Sequence, residues 1–213
     1  MFKKKSNIYN CLIIVAAFLI GILMYDKLPE TIPIHWNFAG EVDGYGSKFI
    51  GLFVPPIIMI VLWFGMMYLP KIDPRKENYK KFDKSYGILQ SVLLTFFFII
   101  QVISILVSMG YDISINKIIP IVVGVLMIFI GNYMPKAKSN FFYGIKTPWT
   151  LSSEVSWKKT HRLGGKLFVI SGLISILAHF IFSANIAGIV FFVCTLVAAI
   201  IPIVASYFYA KNN

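Results

Sequence analysis

The chain is predicted to be an all-α, polytopic membrane protein with six transmembrane helices, on three observations. Apolar residues make up 58% of its 213 residues and charged residues only 14%, against about 45–50% and about 25% in soluble domains. The charges are gathered between long apolar runs, each near the roughly 20 residues a helix needs to cross a hydrocarbon core of about 30 Å. Six crossings also place 17 of the 20 lysines and arginines on one side, the bias expected of a cytoplasmic face.

The first run, residues 8–25, follows the start Met-Phe-Lys-Lys-Lys and exits through Met24-Tyr25-Asp26-Lys27. No small-residue cleavage site follows it, so it is an uncleaved span rather than a secretory signal. Residues 49–69, 85–109 and 118–134 supply spans two to four. Between Lys166 and Lys211 lie 44 residues without Asp, Glu, Lys or Arg; as one helix they would extend about 66 Å, twice the core. That run must fold back, and the polar Ser183-Ala184-Asn185 break divides it into spans at 165–182 and 186–209. Residues 1–213 then form a single six-helix membrane domain. Both termini are cytoplasmic, with an outer loop at 26–48 and cytoplasmic loops at 70–84 and 135–164.

The formal charge of +11 would suggest a nucleic-acid partner in a soluble domain, but the positive-inside bias accounts for it here. The mid-span positions carry no acidic or basic side chain, which counts against proton relays and ion-coupled transport. His35, His161 and His179 fall in three different places, so no metal site is expected, and no Walker A, GxSxG, HExxH or dinucleotide pattern occurs. The chain is therefore expected to be no enzyme and to need no cofactor. Cys11 and Cys194 sit near opposite ends of their spans and are packing residues rather than a disulfide.

Mild polarity remains inside the spans. Gln101, Ser104 and Ser108 share a helix face, as do Ser171, Ser175 and His179, while Gly124 and Gly131 lie two turns apart. Helix-to-helix contacts explain them; the alternative is a cavity lined by Gln101, Ser104, Ser175 and His179 in a small permease for a peptide or amphipathic molecule.

Two loops carry more information. In the outer loop, Ile32, Ile34, Trp36 and Phe38 alternate with Pro33, His35 and Asn37, a period-two pattern for a short extended segment. Gly40, Asp43-Gly44 and Gly46 supply turns, and four acidic residues against two lysines suit a cationic or amphipathic peptide. In the cytoplasmic loop, Thr147-Pro148-Trp149 should be extended because a residue before proline avoids the α region. Ser152 is a candidate N-cap for a helix from about Ser153 through Arg162 that joins span five at Gly164-Gly165. Glu154, Trp157 and His161 fall on one arc of it, with Lys158, Lys159, Arg162 and Lys166 on the next. Such a helix either lies among anionic headgroups or offers a partner-binding surface.

The run GIKTPWTLSSEVSWKKTHRLGGK, together with LPETIPIHWNFAGEVDGYGSK after span one, resembles the SdpI family of bacterial membrane proteins, and the resemblance extends across essentially the whole chain. It implies a six-span immunity protein that protects a bacterium from a secreted antimicrobial peptide toxin. It also implies signalling by recruitment of a cytosolic autorepressor to the membrane. By motif, Gly144, Thr147, Pro148, Trp149, Glu154, Trp157 and Arg162 match the family's cytoplasmic signature, and Pro29, Pro33, His35, Gly40, Gly44 and Gly46 its outer-loop pattern. Lys146 stands where arginine is frequent, which loses a bidentate fork. The expected cytoplasmic partner-binding set is Gly144, Lys146, Thr147, Pro148, Trp149, Glu154, Trp157, Lys158, His161 and Arg162. The expected extracellular set is Pro29, Pro33, His35, Trp36, Gly40, Asp43 and Gly44.

Overall fold

The computed structural model describes residues 4–37 and 41–212. Six of its helices are long and apolar enough to cross a membrane. In chain order these are α1 (Lys4–Met24), α2 (Lys48–Ile72), α4 (Asp83–Ser108), α5 (Ile115–Tyr133), α7 (Glu154–Ile181) and α8 (Ala184–Lys211). Two short helices, α3 (Lys76–Tyr79) and α6 (Pro148–Ser152), lie in the connections after α2 and α5. Between α1 and α2 the extended segment is an antiparallel hairpin of β1 (Thr31–Trp36) and β2 (Val42–Ser47). Phe38 and Gly40 fall outside the described residues.

The helices pack as two sets of three. Helices α1, α2 and α4 contact one another and carry the hairpin on α2 and α4, whereas α5 and α8 pack against α7. The first set is held by apolar layers, with Ile14, Ala17, Met59 and Leu94 in one and Leu28, Ile32, Leu52 and Ile105 in another. Polar side chains stitch it across: Asn10 donates to Gln90 (3.1 Å), and Gln90 in turn to the Trp63 carbonyl (3.0 Å). Gln101 donates to the carbonyls of Ala17 (3.0 Å) and Leu52 (2.8 Å), so one amide ties three helices. These bonds matter because hydrocarbon offers no hydrogen-bonding solvent and apolar helices gain little from each other's company there.

The second set uses small residues instead. A Cβ on Gly165 would stand 2.6 Å from the Gly131 carbonyl oxygen, and one on Gly172 2.5 Å from that of Gly124. Glycine is required at both crossings for α5 and α7 to approach this closely. Ser171 adds a bond to the Cys194 carbonyl (2.9 Å) across to α8. Gln101 and Ser104 thus bond into the first set, and Ser171, Ser175 and His179 belong to the second. The four residues considered for a permease cavity do not converge.

One expected element is corrected. The helix expected from about Ser153 through Arg162 does not stand apart as an interfacial helix but is the start of span five: Glu154 begins α7, which runs 28 residues without a break at Gly164-Gly165. The glycines do not end the helix because the close contact with α5 stabilises it through them. At 1.5 Å per residue α7 is about 42 Å long, more than the core thickness, so part of it stands outside the hydrocarbon.

Gly165→Leu or Gly172→Leu is expected to force α5 from α7 and lower stability by about 1–3 kcal/mol, read as a reduced melting temperature in detergent. Gly65→Ala, whose Cβ meets only Leu69 at 4.0 Å, should leave stability equal or raise it by up to about 1 kcal/mol.

Candidate functional site

After α5 and a 3-10 turn at Met134–Lys136, residues 137–147 form neither helix nor strand. Such a segment must find partners for the backbone groups it buries. Asn140, fully buried, supplies several. Its Oδ1 accepts from the amides of Phe142 (3.0 Å) and Tyr143 (2.6 Å), and its Nδ2 donates to the Lys138 carbonyl (2.8 Å).

The other partners come from the connection between α2 and α4. Asp73, 2% exposed, accepts from the Phe141 amide at Oδ2 (2.8 Å) and from the Arg75 amide at Oδ1 (2.7 Å). The Tyr79 hydroxyl lies 3.0 Å from both Asp73 Oδ2 and Asn140 Oδ1 and shares its proton between them. Burial first, and the bond to Asp73 second, hold that phenol well above its usual pKa, so it remains a donor. Arg75 donates to Ser139 Oγ and the Leu151 carbonyl (2.7 Å) and lies over the Phe141 ring. A lysine could not fork in this way.

Around this polar hub Tyr79, Phe82, Tyr86, Ala137 and Trp157 form a buried cluster. The Trp157 indole donates to the Ala137 carbonyl (3.0 Å). His161, one turn on, stacks on Trp157 with ring centres 4.0 Å apart. Its Nε2 accepts from the Ile145 amide (3.0 Å), which can only donate, so the ring proton is on Nδ1 and is given to the Trp157 carbonyl (2.8 Å). Gly144 has φ of +106°, and a Cβ there would run into His161 Nε2.

Thr147 then caps α6. Its side chain accepts from the Thr150 amide (3.1 Å), and Thr150 Oγ1 accepts from the Thr147 amide (2.9 Å). With Pro148 at the first helical position, where its fixed φ and missing N–H suit a helix start, only Thr147 of the expected extended tripeptide is extended. Ser152 ends α6, and Ser153 caps α7 by accepting from the Ser156 amide (3.2 Å). Thr147 Oγ1 bonds Ser206 Oγ (2.9 Å) and Ser156 donates to the Ser206 carbonyl (2.8 Å), anchoring the loop on α8.

The expected partner-binding residues therefore divide. Thr147, Trp157 and His161 are buried, and Gly144 backs onto His161. The loop folds over that face of α7 and uses it as its core. Lys146, Pro148, Trp149, Glu154, Lys158 and Arg162 are exposed, with Trp149 edge-on to Tyr207 (5.2 Å). Sequence reasoning missed Asp73, Arg75, Tyr79 and Asn140. The one available signal was Arg75 itself, one of only two arginines among 20 basic residues.

At the other end, His35 Nδ1 meets Asp43 (2.5 Å) across the hairpin, and Lys48 pairs with Glu30 (3.0 Å). Gly44 lies opposite His35, where a Cβ would stand 2.8 Å from the His35 Cβ. The expected alternation is imperfect: Ile32 and Pro33 are both buried, and Ile34 is 40% exposed. Register shifts on either side of His35 break the period. The hairpin is pinned by Ser104, which donates to the Pro33 carbonyl (2.7 Å). Pro29 is exposed and Trp36 half-buried.

These two regions coincide with the matches to known families. Residues 136–206 match the SdpI/YfhL protein family and residues 12–60 a domain of unknown function, DUF1648. Immunity protein SdpI of Bacillus subtilis (strain 168) is 33% identical over 208 residues, spanning 98% of this chain and 97% of that protein. The chain belongs to the SdpI family. The uncharacterized membrane protein YbgB of the same organism is 35% identical over 48 residues, 22% of this chain and 53% of that protein. No solved structure matches. In this SdpI-family chain the 12–60 match takes in the latter part of α1, the hairpin and the first half of α2. The 136–206 match takes in the buried loop, α6, α7 and most of α8.

Gly144→Ala and Gly110→Ala both place a side chain at positive φ, at about 1–2 kcal/mol. Only the first also strikes His161; Gly110 has open space. Limited proteolysis should show the 137–147 segment cut faster in Gly144→Ala alone. Trp157→Phe leaves the Ala137 carbonyl without its donor and is expected to cost a further 1–3 kcal/mol or so by thermal unfolding.

Proposed function

We propose that this chain is a membrane immunity protein that protects its cell from a secreted antimicrobial peptide. The observation that carries the reading is the match to an immunity protein along nearly the full length of both chains. A local likeness would transfer a fold fragment; a co-extensive one brings both the hairpin and the buried loop with it. Protection is non-catalytic in this reading and acts through binding.

The distribution of charge supports placing the hairpin outside and the hub inside. The segments around the hub carry most of the lysines and both arginines, whereas residues 26–48 carry four acidic and two basic side chains. The N- and C-termini then lie in the cytoplasm. A cysteine placed at Tyr45, 66% exposed, should react with an impermeant maleimide in intact cells, and one at Lys158 only after lysis. The reverse pattern would invert the topology.

Expression in a peptide-sensitive host tests the function directly: survival is expected with at least one member of the secreted cannibalism-peptide class. Killing equal to that of the empty host by every such peptide removes the reading.

Recruitment of a cytosolic repressor, if part of the function, uses the exposed Trp149, Lys158 and Arg162 rather than Trp157. Where a helix-turn-helix repressor is encoded beside the gene, Trp149→Ala and Arg162→Ala should reduce its capture at unchanged protein level. Trp157→Ala instead is expected to destabilise the chain by about 3–5 kcal/mol. Equal capture by the two surface variants would remove recruitment.

A further inference from the structure

On the outside of the bundle α4 forms the floor of a cleft between α1 and α5. Two cavities lie in it, one of about 450 Å³ against α1 and one of about 350 Å³ against α5, and Val92 and Thr95 line both, so the two adjoin. The floor residues Lys84, Ile88, Thr95 and Ile99 recur at helical spacing on one stripe of α4. From Lys84 to Ile99 that stripe is about 22 Å long at 1.5 Å per residue, the depth of one leaflet in a bilayer of about 40–45 Å with its headgroups. Polarity is graded along it. The end at the start of α4 is lined by Ser6, Tyr9, Asp83, Lys84 and Ser91. The other end, beside Ile121, Val125 and Phe129, has no polar lining side chain apart from Thr95 at the junction. The hydroxyl protons at the polar end are already committed. Ser91 donates to Asn10 Oδ1 (2.8 Å) and Thr95 to the Ser91 carbonyl (2.8 Å), so in the 2.6 Å contact between Tyr9 and Thr95 it is Tyr9 that donates. Tyr9 is 44% exposed, and its hydroxyl oxygen has only lone pairs to offer whatever fills the cleft.

We propose that this cleft is a site for one phospholipid with a primary ammonium in its headgroup, phosphatidylethanolamine, drawn from the leaflet at the end where α1 and α4 begin. A charged end at headgroup depth joined to an apolar end in the hydrocarbon accommodates an amphiphile of one leaflet's length. An apolar helix would leave the charged end unpaired, and a soluble anion would leave the apolar end empty. Lys84 is exposed; its stem extends along the apolar wall and its ammonium, at headgroup level, meets the phosphate. The headgroup ammonium supplies the N–H donors that the committed hydroxyls lack, to the Tyr9 oxygen, and its charge complements Asp83. Phosphatidylcholine has the charge without the N–H, and phosphatidylglycerol has hydroxyl donors without the cation. One acyl chain then lies over Ile99 against Val125 and Phe129, all three exposed on the lipid-facing surface. Such a lipid bridges the two sets of helices, since α1 and α4 belong to the first and α5 to the second. The orientation proposed above makes this the cytoplasmic leaflet; the site itself rests neither on that orientation nor on immunity.

Native mass spectrometry of the full-length protein in detergent tests the site. Delipidated protein is titrated with phosphatidylethanolamine, phosphatidylcholine and phosphatidylglycerol carrying the same acyl chains. One phosphatidylethanolamine is expected to bind about tenfold more tightly than either of the others, the worth of one charge-assisted hydrogen bond. The same lipid with a diazirine in its acyl chain, in nanodiscs, should label Ile99, Val125 or Phe129 saturably. Val92→Trp fills the junction of the two cavities, removes no hydrogen bond, and should lower affinity at least tenfold at an unchanged lipid-free melting temperature. Should that variant fail to fold, Val125→Trp, at a position 41% exposed on α5, closes the apolar half and is expected to give the same loss. Lys84→Gln should weaken binding several-fold. Val61→Trp, on the lipid-facing side of α2 at 65% exposed and outside the cleft, should bind as wild type does. Equal affinity for the three lipids, labelling spread over all six membrane-crossing helices, or wild-type binding by the two cleft-filling variants overturns the site. The maleimide pattern decides only which leaflet supplies the lipid.

Discussion

The constraint on which the structure depends is that irregular backbone buried inside the protein must be hydrogen-bonded by the protein itself. Residues 137–147 have no helix or strand to do this, and the chain answers with Asp73, Tyr79 and Asn140. Asp73 and Asn140 accept the amides of Phe141, Phe142 and Tyr143, and the Tyr79 hydroxyl donates to both acceptors. The two acceptors are charged or amide oxygens with several lone pairs, so each serves more than one donor. Because Asp73 and Tyr79 come from the α2–α4 connection, satisfying the loop also binds the first set of helices to the second.

That arrangement gives the two sets different characters. The first is threaded by side-chain amides and hydroxyls, from Asn10 and Gln90 to Gln101, whereas α5 and α7 meet through glycines at backbone distance. Close glycine packing allows little sliding, since any shift brings backbone against backbone. The amide-bonded set tolerates a cavity, and a space of about 240 Å³ under the hairpin lies there. The hub at one end and the hairpin at the other are therefore both mounted on α2 and α4.

Burial also separates what the loop residues do. Trp157 and His161 stack within the hub, while Trp149, Lys158 and Arg162 face outward. A motif shared along a sequence need not form one surface. Gly144, Thr147, Trp157 and His161 build the platform on which the exposed members stand.

The sequence by itself determined the spans, because hydrophobic length is a local property that a single run of residues carries whole. It also determined the fold-back near Ser183 and the importance of Gly124, Gly131, Gln101 and Ser104 as contacts between elements. In the loop it singled out Gly144, Thr147 and Pro148. Only the tertiary structure decided which face of α7 is covered, that Glu154 already belongs to α7, and that Ser153 rather than Ser152 caps it. It alone brought Asp73 to Phe141, 68 residues away. Periodicity reports that a helix has two faces, but which face is buried depends on what distant backbone needs a partner, and no local pattern carries that information.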